Sequence, residues 1–275
     1  MNRELLLIGL AALLGGTLAW LVAPVRIATT LGPAWRRERR AWRGLIAPLI
    51  VIAFATALVL GWAVQEPAVS DERLAPIAWI IAAAVLALWV RALWRFWRAA
   101  TARTSAPLAV VGLWRPRIVI ESSFEDTLDR DALLAALAHE AAHVRHRDPL
   151  RIALAQLAID LQWPWPQPRA RLRAWHIALE QARDDEAIAD GARPEDLGHA
   201  IVEAARLQRA GRGAALTGDA AIELRITRLL DGRVPERPGA SLVFPFVIGA
   251  GLIAAVILGV AFGEQLVGWL PGVMR

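Results

Sequence analysis

The stretch LAHEAAHVRHRD, residues 137–148, contains the arrangement that decides what kind of domain this chain forms. On an α-helix, side chains four residues apart lie on one face about one turn, or roughly 5.4 Å, apart along the axis. His139 and His143 can therefore present two imidazole rings to one metal ion. Glu140 lies beside the first ring, where it can act on a water molecule as a base without being a ligand. The spacing predicts a helix that binds zinc.

Chance is a poor explanation of this pattern. The chain has 275 residues and 5 histidines. A shuffled chain of the same composition would contain the pattern only about once in 250 to 300 trials. The chain has no cysteine, so a metal must be bound by histidine and carboxylate groups. We therefore expect one Zn²⁺ ion on His139 and His143, with a third ligand from elsewhere in the chain.

The third ligand is expected in LEQARDDEAIAD, residues 179–190, because a catalytic zinc usually takes three protein ligands and leaves the fourth position open. Glu180 is the best candidate. Asp184, one turn further on, can accept a hydrogen bond from the outer nitrogen of a ligating histidine. The alternative is that these acids only form a solvated helix face. His146 is expected to be a cation at the helix end, since about 10.5 Å along the axis separates it from His139.

The hydrophobic composition indicates that part of the chain lies in a lipid bilayer, because 56% of the residues are hydrophobic and the mean hydropathy is +0.41. A helix needs roughly 20 apolar residues to cross a bilayer core. Four runs are long enough, at about residues 5–25, 45–64, 76–94 and 242–262. A cleaved signal peptide is the alternative for the first run.

Arginine placement predicts how these segments are oriented. Residues 26–43 are rich in arginine and residues 65–75 are acidic, so the positive-inside rule puts the first loop in the cytoplasm and the second outside. Residues 1–99 then form three membrane helices, and residues 100–237 form a cytoplasmic domain. Residues 238–275 form a fourth membrane helix with a short external tail, so both termini lie outside. This distribution of basic residues is typical of membrane topology, and we expect no direct nucleic-acid binding.

Local patterns predict a mainly α membrane protein whose cytoplasmic domain is α+β. Residues 108–113 and 117–122 read as a β-hairpin. Capping residues, dipole-compatible charges and helix breakers predict helices at about residues 129–146, 149–163, 169–190, from 194 onward, and 222–230. Residues 210–219 are expected to be a mobile linker. A helix contact through Gly259 and Gly263 would allow a homo-oligomer.

Three stretches together resemble a known family: RPRIVIESSF (115–124), LLAALAHEAAHVRHRD (133–148) and EQARDDEAIADGARPEDL (180–197). They are similar to the M56 membrane zinc peptidases, the group of the BlaR1/MecR1-like β-lactam sensor-transducers. The resemblance implies a zincin-like (gluzincin) metallopeptidase domain between membrane helices 3 and 4.

The same resemblance implies a role for each matching residue. His139, His143 and Glu180 would bind zinc, Glu140 would be the catalytic base, and Asp184 and Asp148 would support the ligands. Two departures stand out. Arg183 occupies a position where the family usually has cysteine. We also expect no penicillin-binding sensor domain, so the resemblance does not imply a β-lactam signal.

The expected activity is zinc-dependent hydrolysis of peptide bonds in a cytoplasmic protein, a transcriptional repressor being one candidate, at the bacterial inner membrane. An extended substrate could pair with the hairpin edge around residues 117–121. Because the chain has no tyrosine, His176 or His199 is expected to donate a hydrogen bond to the oxyanion. Two alternatives are a membrane quality-control protease similar to the M48 family and a non-catalytic scaffold or sensor that keeps a zinc fold.

Overall fold

The computed structural model describes residues 33–63, 76–101, 106–162, 167–212 and 219–231, together with residues 254, 257 and 261. This part of the chain is mainly helical and includes one small sheet. Its helices are α1 (Ala34–Ala63), α2 (Pro76–Thr101), α3 (Ser122–Glu125), α4 (Arg130–His146), α5 (Asp148–Leu161), α6 (Gln167–Ala189), α7 (Pro194–Arg212) and α8 (Asp219–Leu230), and its strands are β1 (Leu108–Val111) and β2 (Arg117–Ile120). The predicted hairpin and the five predicted helices that follow it are confirmed, whereas the short helix α3 was not anticipated.

The two strands form an antiparallel hairpin in which Leu108 pairs with Ile120 and Val111 pairs with Arg117. Gly112 allows the chain to leave β1. Its φ is +97°, and a Cβ atom at this position would lie 2.6 Å from the carbonyl oxygen of Arg115. Glycine is therefore required for this turn, because a side chain would meet both backbone strain and a steric clash. The hairpin packs against α4.

Helix α4 carries the metal-binding pattern and is buried along one stripe. The N-cap residue Asp129 accepts a hydrogen bond of 2.8 Å from the backbone N–H of Ala132, which satisfies one free donor of the first turn. The buried positions share the helical i, i+3, i+4 spacing and are occupied by small side chains or histidine: Ala132, Ala135, Ala136, His139, Ala142 and His143. Small side chains let α6 and α7 approach α4 closely, so the two histidines lie inside the helical assembly.

A sharp turn separates α4 from α5. Arg147 adopts the left-handed conformation, with φ 51° and ψ 44°, and is both the C-cap residue of α4 and the N-cap residue of α5. Non-glycine residues rarely adopt this conformation. The reversal brings Asp148, at the start of α5, back beneath His143 at the end of α4.

Helix α6 is the central element because it contributes to two hydrophobic clusters. In the first cluster, Trp175 and Leu179 of α6 pack with Leu45 of α1 and Ile159 of α5. The second cluster joins α6 to α4, α7 and α8 through Ala135, Ala187, Leu197, Ile201 and Leu229. The metal-binding face of α6 is thus held between two packed layers.

Helix α1 begins earlier than the sequence predicted. Residues 26–43 were expected to form a loop, but the chain is helical from Ala34 onward, and Ala34, Glu38 and Leu45 are buried. The physical reason is tertiary, because the first turns of α1 pack along α6 and against α5. This arginine-rich segment is therefore part of the packing of the domain.

Within the described residues, no helix has an apolar stretch of the length that a bilayer crossing requires. The expected spans at about residues 45–64 and 76–94 coincide with parts of α1 and α2. The span at about residues 5–25 lies outside the described residues, as do most of the span at 242–262 and most of the expected linker at 210–219.

Candidate metal centre

Three side chains from two helices converge on one point. The Nε2 atoms of His139 and His143 lie 3.1 Å apart. A carboxylate oxygen of Glu180, on α6, lies 3.4 Å from Nε2 of His139, and the other oxygen lies 3.7 Å from Nε2 of His143. Both histidines are buried, and the Glu180 side chain is 34% exposed. The fold therefore brings together the three residues expected to be ligands.

These distances fit a zinc ion. Bonds of about 2.0–2.1 Å in a tetrahedral site place neighbouring ligand atoms about 3.3 Å apart. The two Nε2 atoms lie 3.1 Å apart, and each has a different Glu180 oxygen at 3.4 or 3.7 Å, so each of these contacts is close to that value. Among the described residues, His139, His143 and Glu180 form a group of metal-ligating side chains whose ligand atoms all lie within 4.8 Å of one another. The site can hold one ion with three protein ligands and an open fourth position.

The outer nitrogen of each histidine faces an aspartate. Nδ1 of His143 lies 2.9 Å from Oδ2 of Asp148, a hydrogen bond that the turn at Arg147 makes possible. Nδ1 of His139 lies 2.9 Å from Oδ1 of Asp184, although the ring is not aligned for a good hydrogen bond. A carboxylate in this position favours the tautomer with the proton on Nδ1, which leaves Nε2 free to bind a metal.

Buried arginines hold Asp148 in place. Arg183 donates to both of its carboxylate oxygens, at 2.5 and 3.0 Å, and Arg151 donates to one of them at 2.8 Å. Burial of the Asp148 carboxyl would raise its pKa, but the hydrogen bonds from His143 and Arg183 outweigh that effect and lower the pKa well below its usual value. Asp148 is therefore a fixed negative charge behind His143.

The arginine network continues to α1. Arg151 also donates to Glu38, which in turn accepts a hydrogen bond of 3.0 Å from the indole N–H of Trp175. A chain of polar contacts thus links α1 with the acid behind His143. Arg183 belongs to this network through Asp148, so it has a structural role beside the metal site.

Arg225 of α8 binds both acids on α6 that face the metal site. Its Nε and Nη2 atoms donate to the two oxygens of Asp184, at 2.8 and 2.6 Å, and its Nη1 atom lies 3.0 Å from Glu180. Burial of the Glu180 carboxyl would raise its pKa, but the positive charge of Arg225 and the contacts to His143 and His139 together outweigh burial and hold the pKa well below its usual range. Both carboxylates are consequently ionised and available near neutral pH.

The proton affinity of His139 is high when the metal is absent. Burial by itself would lower its pKa, but the nearby carboxylates of Asp184 and Glu180 outweigh burial and raise the pKa to about 9. Asp184 beside Nδ1 and Glu180 beside Nε2 therefore place negative charge at both nitrogens of the ring. The same negative charge favours a divalent cation.

A cavity of about 400 Å³ opens onto the metal site. Glu140 borders it together with the three ligands and Arg225. Its other walls are mostly apolar and come from β1, with Leu108, Ala109 and Val110, and from α7, with Leu197, Ala200, Ile201, Ala204 and Ala205. The cavity has the polar floor and apolar walls of a substrate site.

Residues 99–229 match the family model of the BlaR1 peptidase M56. The match confirms the M56 resemblance. It covers every residue of the metal site, from His139 to Arg225, and supports a metallopeptidase activity for the chain. Among curated proteins and among solved structures, no match to the chain was found.

Neither histidine expected to stabilise an oxyanion lies at the M56-like site. His199 is 46% exposed, and its Nδ1 atom lies 3.8 Å from Asp129. His176 packs against Trp175, and its buried Nε2 atom has no hydrogen-bond partner among the described residues. Of α6, only Glu180 borders the cavity, so the position of His176 one turn earlier does not bring it to the reacting centre.

Two further expectations can be compared with the geometry. His146 contacts Glu186, 2.9 Å away, and takes no part in the metal group, as its distance along the helix predicted.

The edge expected to bind substrate was around residues 117–121 in β2, whereas it is β1 that borders the M56-like cavity.

Sequence reasoning missed the arginines of this site. Arg225 lies in the helix predicted at about residues 222–230, but the sequence patterns assign no role at the metal centre to Arg225, Arg151 or Arg183. The available signal was the spacing of Arg225 and Arg228, which puts both on one face of α8, opposite the adjacent acids on α6. Which acid each arginine would meet could not be read from that spacing.

Proposed function

We propose that the chain is a zinc-dependent endopeptidase that cleaves a cytoplasmic regulatory protein at the bacterial inner membrane. The observation that supports this proposal is the convergence of His139, His143 and Glu180, whose ligand atoms lie within 4.8 Å of one another, on the wall of a cavity that Glu140 also borders. The membrane location is supported by the apolar runs of the sequence, and a transcriptional repressor remains our candidate substrate.

His139, His143 and Glu180 would hold the zinc ion. When bound, zinc supplies a Lewis acid that polarises the scissile carbonyl and makes a water molecule more acidic. Glu140 accepts the proton of the attacking water and delivers it to the leaving amine. Asp148 and Asp184 keep the imidazole rings oriented throughout the reaction.

We assign the oxyanion role expected of His176 or His199 to Arg225. Its side chain borders the cavity, and its contacts to Asp184 and Glu180 leave N–H groups available, since a guanidinium has five donor hydrogens. A fixed cation beside the scissile bond would stabilise the negative charge that develops on the substrate oxygen.

The substrate is best described as an extended peptide with a small or medium apolar side chain near the cleaved bond. Strand β1 borders the cavity and, within the described sheet, pairs only with β2, so its other edge can hydrogen-bond a peptide backbone. The alanine-lined wall of α7 offers room for an apolar side chain.

The test compares the purified full chain with its Glu140→Gln variant. We expect equal zinc content and a loss of peptide cleavage of about 100-fold or more, because a general base typically contributes 10²–10⁴. Glu203→Gln is the matched control, since this glutamate contacts Arg206 on α7 and does not border the cavity. In cells, the substrate should accumulate uncut with Glu140→Gln.

Equal cleavage by wild type and Glu140→Gln would refute the general-base role of Glu140, and the absence of any peptide cleavage by wild type would refute the peptidase role. Unchanged cellular proteomes, together with retained zinc, would support the non-catalytic scaffold. Unchanged zinc content in Glu180→Ala would remove Glu180 from the ligand set. Reporter fusions that place residues after Trp97 outside the cell would overturn the cytoplasmic location.

A further inference from the structure

A second cavity, of about 260 Å³, lies where α2, α5 and α6 meet. Arg91 and Arg95 of α2 border it on one side, and Arg169 and Arg173 of α6 border it on another. Asp160 of α5 is the one acidic residue of its described lining. This cavity shares no lining residue with the cavity at the metal site, so the two are separate sites.

The charges in this cavity are unbalanced toward positive. Asp160 pairs with Arg95 at 3.2 Å and with Arg91 at 3.9 Å, and it also accepts a hydrogen bond of 2.9 Å from Gln156. Arg169 and Arg173 are exposed and make no ion pair with any other described residue. Arg169 and Arg173 therefore add two exposed positive charges beside a carboxylate that Arg91 and Arg95 already share, an arrangement that attracts an anion.

Phosphate is the anion that this geometry suits best. Guanidinium groups recognise phosphate oxygens through paired hydrogen bonds, and several arginines can share one phosphate group. Neither α2 nor the first two turns of α6 contain an acidic residue that could repel the ligand. The site is also deep enough to hold more than a single ion, since 260 Å³ exceeds the volume of one phosphate.

Helix α2 indicates where the phosphate comes from. Next to its arginines it exposes a row of large apolar side chains at helical spacing: Leu86, Val90, Leu93 and Trp97, each at least 51% exposed. The row is about 16 Å long. Trp94 is also exposed, and the guanidinium of Arg98 lies 4.8 Å from the centre of its ring. Tryptophan and arginine side by side are typical of the boundary between lipid tails and headgroups.

We propose that this cavity binds the phosphate group of an anionic phospholipid whose acyl chains lie along the exposed apolar face of α2. Charge complementarity selects the headgroup, and the row from Leu86 to Trp97 provides the surface for the chains. Basic pockets beside membrane-associated helices commonly bind anionic lipids in this way. The proposal does not depend on the peptidase activity.

The test uses the full chain, purified in a nonionic detergent and titrated with phosphatidylglycerol or phosphatidylcholine, with bound lipid counted by native mass spectrometry. We expect tighter binding of phosphatidylglycerol. In the double variant Arg169→Gln/Arg173→Gln, its affinity should fall about 30-fold, because each arginine near an anionic surface contributes about fivefold. Affinity for phosphatidylcholine should not change.

The matched control is Arg115→Gln/Arg117→Gln, which removes the same charge from exposed positions on the hairpin. This control should bind phosphatidylglycerol as wild type does. All variants should keep the zinc content of wild type, which shows that the fold is intact. Arg173→Glu alone is a second variant that should also weaken phosphatidylglycerol binding.

Three results would overturn the proposal. One is equal affinity for the two lipids in wild type, and another is unchanged phosphatidylglycerol binding in both Arg173 variants. The third is displacement of the lipid by an equal concentration of inorganic phosphate, which would identify a small-anion site instead. Loss of peptide cleavage in Glu140→Gln has no bearing on any of these measurements.

Discussion

Asp184 and Asp185 are neighbours on α6, and each contacts a different arginine, but only Asp184 also lies beside a histidine of the metal site. Substituting each in turn therefore tests the metal site with a matched pair of variants. Asp184 contacts Arg225 through two hydrogen bonds and lies 2.9 Å from Nδ1 of His139. Asp185 contacts Arg228, at 2.7 Å, and no histidine among the described residues. The perturbation is Asp184→Asn compared with Asp185→Asn.

The expected effect on zinc follows from these contacts. The asparagine at 184 keeps the size of the side chain but removes the charge that favours the Nδ1 proton of His139. Loss of a carboxylate that supports a ligating histidine typically weakens metal binding 10- to 100-fold, or by about 1.4–2.7 kcal/mol. Asp185→Asn should leave zinc affinity within about twofold of wild type, since no ligand depends on it.

The two variants should differ in zinc affinity but not in the free energy of unfolding of the metal-free protein. Each substitution leaves a mostly buried arginine opposite a neutral amide, because Arg225 and Arg228 are 14% and 16% exposed. A lost charged hydrogen bond of this kind costs about 1–3 kcal/mol in the free energy of unfolding. Both variants should therefore unfold at lower temperature in the metal-free form.

The assay is a zinc titration against a competing chelator, run beside thermal unfolding of the metal-free proteins. If both variants lose zinc affinity equally, the effect is general destabilisation and the role assigned to Asp184 is wrong. Wild-type zinc affinity in Asp184→Asn would contradict the reasoning directly.

Four further predictions concern the proton on His139, the zinc affinity, the charge of Arg225 and the shape of the cavity. The pKa of His139 is raised from 6.5 to about 9 in the metal-free fold, so its protonation contributes roughly 3 kcal/mol to the free energy of unfolding. This contribution should be complete below pH 6.5 and should disappear as the pH rises through about 9. Denaturant unfolding across this range in chelator, with His139→Gln for comparison, measures it. Apparent zinc affinity should rise with pH over the same range, because the metal displaces that proton. Arg225→Lys should lower kcat about 100-fold while Arg228→Lys does not, since lysine cannot reproduce the geometry of an oxyanion donor; equal rates in steady-state kinetics would remove Arg225 from the mechanism. Ala204→Phe should raise KM about tenfold or more at constant zinc content by filling the cavity, and an unchanged KM would show that the substrate does not enter there.

Much of the site could be predicted because it depends on neighbouring residues. The spacing of His139 and His143 determines which helix face they share, since helical periodicity is a local property. The N-cap at Asp129 and the hairpin around Gly112 are equally local. Glu180 could be proposed because it is an acidic residue on a predicted helix at a suitable distance in sequence from His143, and because the surrounding residues resemble the family pattern.

The start of α1 and the donor for the oxyanion could not be predicted in this way. Residues 34–43 contain many arginines, and their pattern predicts a polar loop. Glu38 is nevertheless buried, because Arg151 and Trp175 donate hydrogen bonds to its carboxylate. His176 is on the same helix as Glu180, yet it packs against Trp175. Burial of this kind depends on which helices lie alongside, and no pattern within one helix specifies that.

The sequence by itself determined the identity of the metal-binding pattern, the helices that carry it and the absence of cysteine ligands. Only the tertiary structure decided how the charges around it are balanced. Arg225 reaches Glu180 across 45 residues of chain, and Arg183 reaches Asp148 across 35. The physical reason is that charged side chains are buried only in pairs, and the partner is chosen by the packing of α6 against α5 and α8 rather than by any local spacing.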